Sequence, residues 1–135
     1  MPATEAFVDT NVLLYLLSSD SAKADRAEAL VAGGALISVQ VLNELTNVAR
    51  RKLAMTWEEI DEFAEAIRAS CSVEPLTIET HETGRRLAQR YGLGVYDAMI
   101  AASALLGNCR TLFSEDMHHG LVIDQRLRVC NPFLD

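Results

Sequence analysis

Apolar residues along the chain fall into two patterns: short unbroken runs, and longer stretches with an apolar residue every three or four positions. Ala6-Phe7-Val8 is a run of the first kind and predicts a buried strand that stops at Asp9-Thr10-Asn11. Val12, Leu13, Leu16 and Leu17 then recur at helical spacing. A second helix is expected from Ser21 to Ala32, halted by Gly33 as a C′ glycine, with a second strand over Ala35 to Ser38. Val41, Leu42, Leu45 and Val48 form one apolar face of a helix running from Val39 to Leu53. Thr56-Trp57-Glu58-Glu59 reads as a capping box and opens a helix to about Ala69. A third strand is expected over Val73 to Leu76, followed by a helix capped by Thr77 and ending near Tyr91, before Gly92. Tyr96 to Leu106 is apolar and alanine-rich, which predicts a buried helix ended by Gly107. Thr111-Leu112-Phe113 forms a fourth strand, and Leu121 to Ile123 with Arg128 to Cys130 adds a short edge element. Short apolar strands alternating with helices predict an α/β fold on a parallel sheet. Ligands in such sheets sit beyond the carboxyl ends of the strands, so the polar residues that follow each strand matter most.

Composition narrows this picture. A chain of 135 residues fits a single domain over 1–135, large enough to bury its own core. With 50% apolar and 23% charged residues it is ordinary globular material and not a disordered or low-complexity chain. A net charge of −7 excludes a broad basic footprint for nucleic acid but leaves room for a local basic patch or a metal that offsets the acidity. Cys71, Cys109 and Cys130 form no C-x-x-C pair, and so sparse a set fits small core fillers in a reducing cytosol. Met1 to Val8 lacks the basic and long apolar segments of a signal peptide, and the longest apolar run, Val12 to Leu17, has six residues. A cytoplasmic protein without a membrane partner is therefore expected.

Four carboxylates stand at the ends of elements. Asp9 directly follows the first strand, and Asp116 follows the Thr111–Phe113 strand through Ser114 and Glu115, which is the neighbouring alternative. Asp97 opens the helix that ends at Leu106, and Glu44 lies beside the apolar face of the Val39–Leu53 helix. Read singly, each has a plain use as a cap, a first-turn charge, a solvent-facing residue or a turn residue. Gathered in one crevice they disfavour joint ionisation, a conflict that a hard divalent cation removes. Such a cation polarises a phosphoryl oxygen and lowers the pKa of a bound water.

These segments, in this order, resemble the PIN-domain nuclease family. Phe7-Val8-Asp9-Thr10-Asn11-Val12-Leu13 is similar to its opening strand and turn, and Asn43-Glu44-Leu45 to its helical glutamate. Tyr96-Asp97-Ala98-Met99-Ile100-Ala101-Ala102-Ser103-Ala104 resembles its third acidic segment, and Leu112-Phe113-Ser114-Glu115-Asp116-Met117 with His118-His119-Gly120 its last. The likeness spans most of the chain, and the chain's size further resembles the VapC-type toxin branch of toxin–antitoxin pairs. The resemblance implies a three-layer α/β/α fold with a short central parallel sheet of about four or five strands. It also implies an endoribonuclease dependent on Mg²⁺ or Mn²⁺, with Asp9, Glu44, Asp97 and Asp116 on the metal-binding positions. Thr10, Asn11 and Ser114 fall on its supporting polar positions. The same likeness implies a homodimer and a cognate antitoxin that blocks the acidic site.

An RNA substrate must be held despite the net acidity. Arg50-Arg51-Lys52 ends the Glu44 helix, and Arg86 and Arg90, beside Arg85, lie four residues apart on one face of another. Either cluster could contact phosphates, and each reads first as solvated helix surface or as cations favouring a helix C-terminus. His118-His119 reads as a surface turn, and the Trp57, Ile60, Phe63, Ala64, Ile67 stripe as core or partner surface. Ser114 sits in no G-x-S-x-G elbow, and no P-loop is present. An aspartyl phosphatase would want a second acid where Asn11 stands and a lysine beyond Lys52. The remaining alternative is a catalytically weak PIN-like module that works by binding protein.

Overall fold

The computed structural model describes residues 6–134. Residues 1–5 and 135, included in the single-domain and leader readings, lie outside the described residues. The strands are β1 (Ala6–Val8), β2 (Ala35–Ser38), β3 (Cys71–Glu74), β4 (Thr111–Phe113), β5 (Val122–Ile123) and β6 (Leu127–Cys130). They form one sheet in the order β3-β2-β1-β4-β6-β5, every neighbouring pair parallel except β5 with β6. Near-continuous burial of Phe7, Val8, Ile37, Leu112 and Val129 is what a parallel sheet covered on both faces requires. The helices are α1 (Thr10–Leu14), α2 (Ser21–Ala32), α3 (Val39–Arg51), α4 (Trp57–Ser70), α5 (Ile78–Tyr91) and α6 (Val95–Leu106). This is the expected α/β architecture, with a central parallel sheet flanked by helices. No described helix is long and apolar enough to cross a membrane.

The strand order reverses between β1 and β4. β2 and β3 extend the sheet on one side of β1, while β4 and β6 extend it on the other. The carboxyl ends of β1 and β4 therefore lie side by side at a switch point, with Val8 paired to Phe113 and the Asp9 N–H donating to the Phe113 carbonyl at 2.9 Å. This one register places both Asp9 and the Ser114–Asp116 turn at the same edge.

Local chemistry sets most boundaries. Thr56 and Thr77 cap α4 and α5 with reciprocal side-chain and backbone bonds, through Glu59 and Thr80 respectively. The first helix is shorter than its apolar spacing implies, giving way to a 3₁₀ turn over Tyr15–Leu17. β3 begins two residues before the expected Val73, because Cys71 is buried and pairs with Ala35, and Pro75 has no N–H to continue the ladder. The helix from Ser21 ends in a right-handed Gly33, and the positive φ of 90° falls on Gly34. β5 and β6 meet through Asp124 and Gln125, both at positive φ, closed by Arg126 N–H donating to the Ile123 carbonyl at 3.1 Å, as in a type I′ turn.

α6 is largely buried from Ala98 onward, and its alanines let it pack closely on α5 and the sheet. The chain leaves it through Gly107, where a Cβ would stand 2.2 Å from Leu36 Cδ2 and 3.2 Å from the Ser103 carbonyl oxygen. At Gly33 a Cβ would meet only ordinary contacts from 3.5 Å outwards. Gly107→Ala should lower stability by about 1–3 kcal/mol through overpacking. Gly33→Ala should stay within about 0.5 kcal/mol of wild type. Urea unfolding of the two variants checks this, and equal effects would refute it.

Candidate active site

Asp9 leaves β1 in an extended conformation and is only 4% exposed. Its Oδ1 accepts the Thr10 N–H at 2.7 Å, capping α1, and its Oδ2 accepts the Ser114 hydroxyl at 2.8 Å. The Thr10 hydroxyl donates to Glu44 Oε1 at 2.7 Å, tying the α3 carboxylate to the end of β1. Asn11 faces the other way: its Nδ2 lies 3.4 Å from both Asp9 Oδ2 and Ser114 Oγ, and its Oδ1 accepts the Glu115 N–H at 3.1 Å. Ser114 Oγ also accepts the Met117 N–H at 3.3 Å. The three polar residues singled out beside the acids thus orient Asp9, Glu44 and the turn that carries Asp116.

Asp9, Glu44, Asp97 and Asp116 all line one cleft of ≈ 350 Å³, together with Thr10, Asn11, Leu14, Asn47, Val48 and Lys52. Asp97 reaches it from the first turn of α6. Glu115, the neighbouring alternative to Asp116, does not line it. Its Oε1 accepts the Tyr15 hydroxyl at 2.6 Å and its Oε2 the Lys23 ammonium at 2.8 Å. Desolvation pushes the Glu115 carboxyl up, but those bonds outweigh it and hold the carboxyl below its ordinary range.

Burial and mutual repulsion set the acids of the cleft apart. Burial pushes the Asp9 carboxyl up to about 6; the bonds from Ser114 and Thr10 oppose this, while Glu44 and Asp97 add repulsion. Asp97 is also raised, by burial first and then by Asp116. Lys52 is the sole cationic side chain lining the cleft among the described residues. Among the described residues no three of these side chains already stand together as a metal cage. The donor chemistry nevertheless fits a hard divalent cation: four carboxylates around one cleft, the most buried of them held only by neutral donors.

The remaining candidates scatter. Arg50 donates to the Met55 carbonyl at 3.1 Å and lies over the Trp57 ring at 5.2 Å, and Arg51 is exposed on the last turn of α3. Arg86 forks onto Asp124 at 3.1 and 2.7 Å, anchoring the β5–β6 turn. Arg86 and Arg90 line a separate shallow groove on α5 with Glu82, Arg85 and Gln89. His119 Nδ1 accepts the Asn131 N–H at 2.9 Å and His118 is exposed, as a surface turn implies. Sequence reasoning passed over Asn47, which lines the cleft three residues after Glu44; that spacing on a helix was the available signal.

Residues 6–120 match the family model of the PIN domain. The chain belongs to the PIN domain family. Among solved structures, this PIN domain is similar to a toxin–antitoxin complex from Klebsiella pneumoniae at 23% identity and a TM-score of 0.73, covering 95% of this chain and 98% of the other. It is similar to the Mycobacterium tuberculosis sarcin-ricin loop cleaving toxin VapC20 at 23% identity and a TM-score of 0.66, with 82% and 91% covered. A third is VapBC2 from Rickettsia felis bound to a DNA fragment from its promoter, at 21% identity and a TM-score of 0.61, with 82% and 87% covered. These likenesses show the PIN fold. No curated protein matches the sequence at a significant level.

The raised Asp9 carboxyl makes a pH prediction for the metal-free PIN domain. An acid whose folded pKa lies above its unfolded value favours folding while protonated, and that advantage is lost as pH rises from 3.8 to about 6. Asn keeps both the cap and the size. Asp9→Asn should therefore stabilise the chelator-treated protein by on the order of 2–3 kcal/mol at pH 7. The gain should shrink towards pH 4. Urea midpoints at both pH values check it, and a pH-independent difference would refute the electrostatic origin.

Proposed function

We propose that this PIN domain is a divalent-metal-dependent endoribonuclease that cleaves RNA phosphodiester bonds as the cytoplasmic toxin of a type II toxin–antitoxin pair. The observation that carries the reading is the convergence of Asp9, Glu44, Asp97 and Asp116 on one cleft at the β1–β4 switch point. Asp9, Glu44, Asp97 and Asp116 would hold Mg²⁺ or Mn²⁺, which when bound would polarise the phosphoryl oxygen and lower the pKa of a bound water. Thr10 holds Glu44, and Ser114 holds Asp9, so the acids keep their orientation before substrate arrives. Lys52 meets a phosphate at the cleft edge, and the Asn47 amide offers a neutral donor beside Glu44. Arg51, next to Lys52, extends the phosphate track, with Arg90 as a more distant contact; Arg50 is tied first to the Met55 carbonyl and the Trp57 face. Arg86 is committed to Asp124, so it acts on the fold first.

The toxin assignment is supported by what the similar structures are called: a toxin–antitoxin complex, a sarcin-ricin loop cleaving toxin and a VapBC pair. The partners are accordingly a cognate antitoxin and a second copy of this chain. A hollow of ≈ 340 Å³, lined by Leu76, Val95, Tyr96 and Met99 together with the polar Gln40, Thr77, Thr80 and His81, supports the homodimer, since Val95 and Tyr96 in it and Ile78 beside Thr77 in the chain are 59%, 67% and 75% exposed.

Cleavage of a cellular RNA pool tests the enzyme, using protein freed of any bound partner and Mg²⁺ or Mn²⁺ set against chelator. Asp97→Ala and Asp116→Ala should each lower cutting by about a hundredfold or more, the loss of several kcal/mol of charge stabilisation. Well-folded wild type that cuts no RNA with metal would overturn the enzyme reading in favour of the binding module. Ile78→Asp should shift the chain from dimer to monomer in light scattering; an unchanged mass would reject this face.

A further inference from the structure

Two acids follow Ser114, and they are used differently: Asp116 lines the cleft, while Glu115 is bound outside it. Both carboxylate oxygens of Glu115 are occupied, Oε1 by the Tyr15 hydroxyl and Oε2 by Lys23 Nζ. Its backbone N–H is held as well, by Asn11 Oδ1. Lys23 Nζ also donates to the Tyr15 hydroxyl oxygen at 3.1 Å and sits over two rings, 4.6 Å from the Tyr15 centroid and 5.0 Å from that of Phe133. Those rings meet edge to face at 4.8 Å and 71°. Residues from the 3₁₀ turn and α2 thus close on the Glu115 carboxylate, and Phe133 of the 131–134 segment packs against both of them.

We propose that Lys23, Tyr15 and Phe133 form a clamp of positioning residues that holds Glu115 outside the cleft and so sets Asp116 within it. The proposal rests on reading Asp116 as one of the metal-holding acids. Stability alone is a poor explanation for the arrangement. The Lys23 and Glu115 side chains keep 33% and 26% exposure, and ion pairs so open to water contribute little. Placement is another matter, because the clamped residue directly precedes the aspartate in the chain. A turn with neighbouring acids at 115 and 116 needs something to decide which of them faces the cleft.

Two effects of removing Lys23 have opposite signs, which makes the test sharp. As a mere charge, its loss makes the surroundings of the cleft more negative and should tighten Mn²⁺ binding. As a clamp, its loss frees Glu115 and loosens Asp116, which should weaken binding. Calorimetric titration of Mn²⁺ into metal-free wild type, Lys23→Met, Lys23→Arg, Glu115→Gln and the double variant Lys23→Met/Glu115→Gln separates these. Lys23→Met should bind Mn²⁺ about tenfold more weakly, at the lower edge of what supporting residues contribute. Lys23→Arg should restore binding, and Lys23→Met should add nothing in the Glu115→Gln background. Amide exchange at Glu115 and Met117, measured without metal, should quicken in Lys23→Met while the melting temperature barely moves. Unchanged or tighter Mn²⁺ binding, or unchanged exchange, would overturn the clamp. Should Lys23→Met fail to fold, Tyr15→Phe removes only the hydroxyl donated to Glu115 and carries the same expectations. Wild type that binds no Mn²⁺ would refute the metal reading instead, and the exchange comparison would still decide the clamp.

Discussion

The site turns on a buried carboxylate without a buried cation. Asp9 lies at the end of a central strand, is almost fully covered, and finds only neutral partners in Ser114 and the Thr10 N–H. Hydrogen bonds orient such a group, yet they do not neutralise it. With the acid raised to about 6, keeping it ionised at neutral pH costs on the order of 3 kcal/mol. That is a large fraction of an ordinary domain's 5–15 kcal/mol. Packing elsewhere must tolerate the cost: the β1–β4 register fixes the backbone of Asp9, and the interior of the sheet is continuous apolar side chain. A strand end at a switch point is where a rigid backbone and an opening to solvent coincide, so the cost of that buried charge can be relieved by a ligand from the solvent side.

The order and type of nearly every element were legible, because short buried runs and 3.6-residue periodicity report burial on two faces or on one. The acids were legible for a related reason: Asp9 and Asp116 follow strands, and Asp97 opens a helix. What was hidden depends on contacts between distant segments. The start of β3 shifts because Cys71 finds Ala35, which no local pattern announces. Arg86 reads like a phosphate-binding residue until the β5–β6 turn presents Asp124 to it. Choosing between Glu115 and Asp116 needed Tyr15 and Lys23, about a hundred residues away in sequence, so proximity to the strand could not decide it. Asn47 is the exception, visible from helical spacing alone once Glu44 is accepted.

Charge is apportioned by place more than by total. The net value of −7 includes cations that are already committed: Lys23 to Glu115, Arg86 to Asp124, Arg50 to the Met55 carbonyl and the Trp57 face. Lys52 is left at the cleft itself. On the proposed function, a polyanion is not drawn in by a basic surface. It is accepted only where the acids of the cleft are themselves neutralised, which couples substrate binding to the metal and makes the acidity of the chain a means of selection.

The first turn of α6 carries the same logic into assembly. Val95 and Tyr96 are exposed and apolar, Asp97 turns to the cleft, and Ala98 is buried in the core. A helix advances about 100° per residue, so neighbours in sequence face different surroundings while sharing one rigid backbone. Anything that covers Val95 and Tyr96 therefore bears on the element that presents Asp97. Because α6 is closely packed from Ala98 onward, it has little freedom to absorb a push at its first turn. In the proposed dimer, the interface and the acid would be joined by a single peptide bond between Tyr96 and Asp97, and partner binding would steady the carboxylate without touching it.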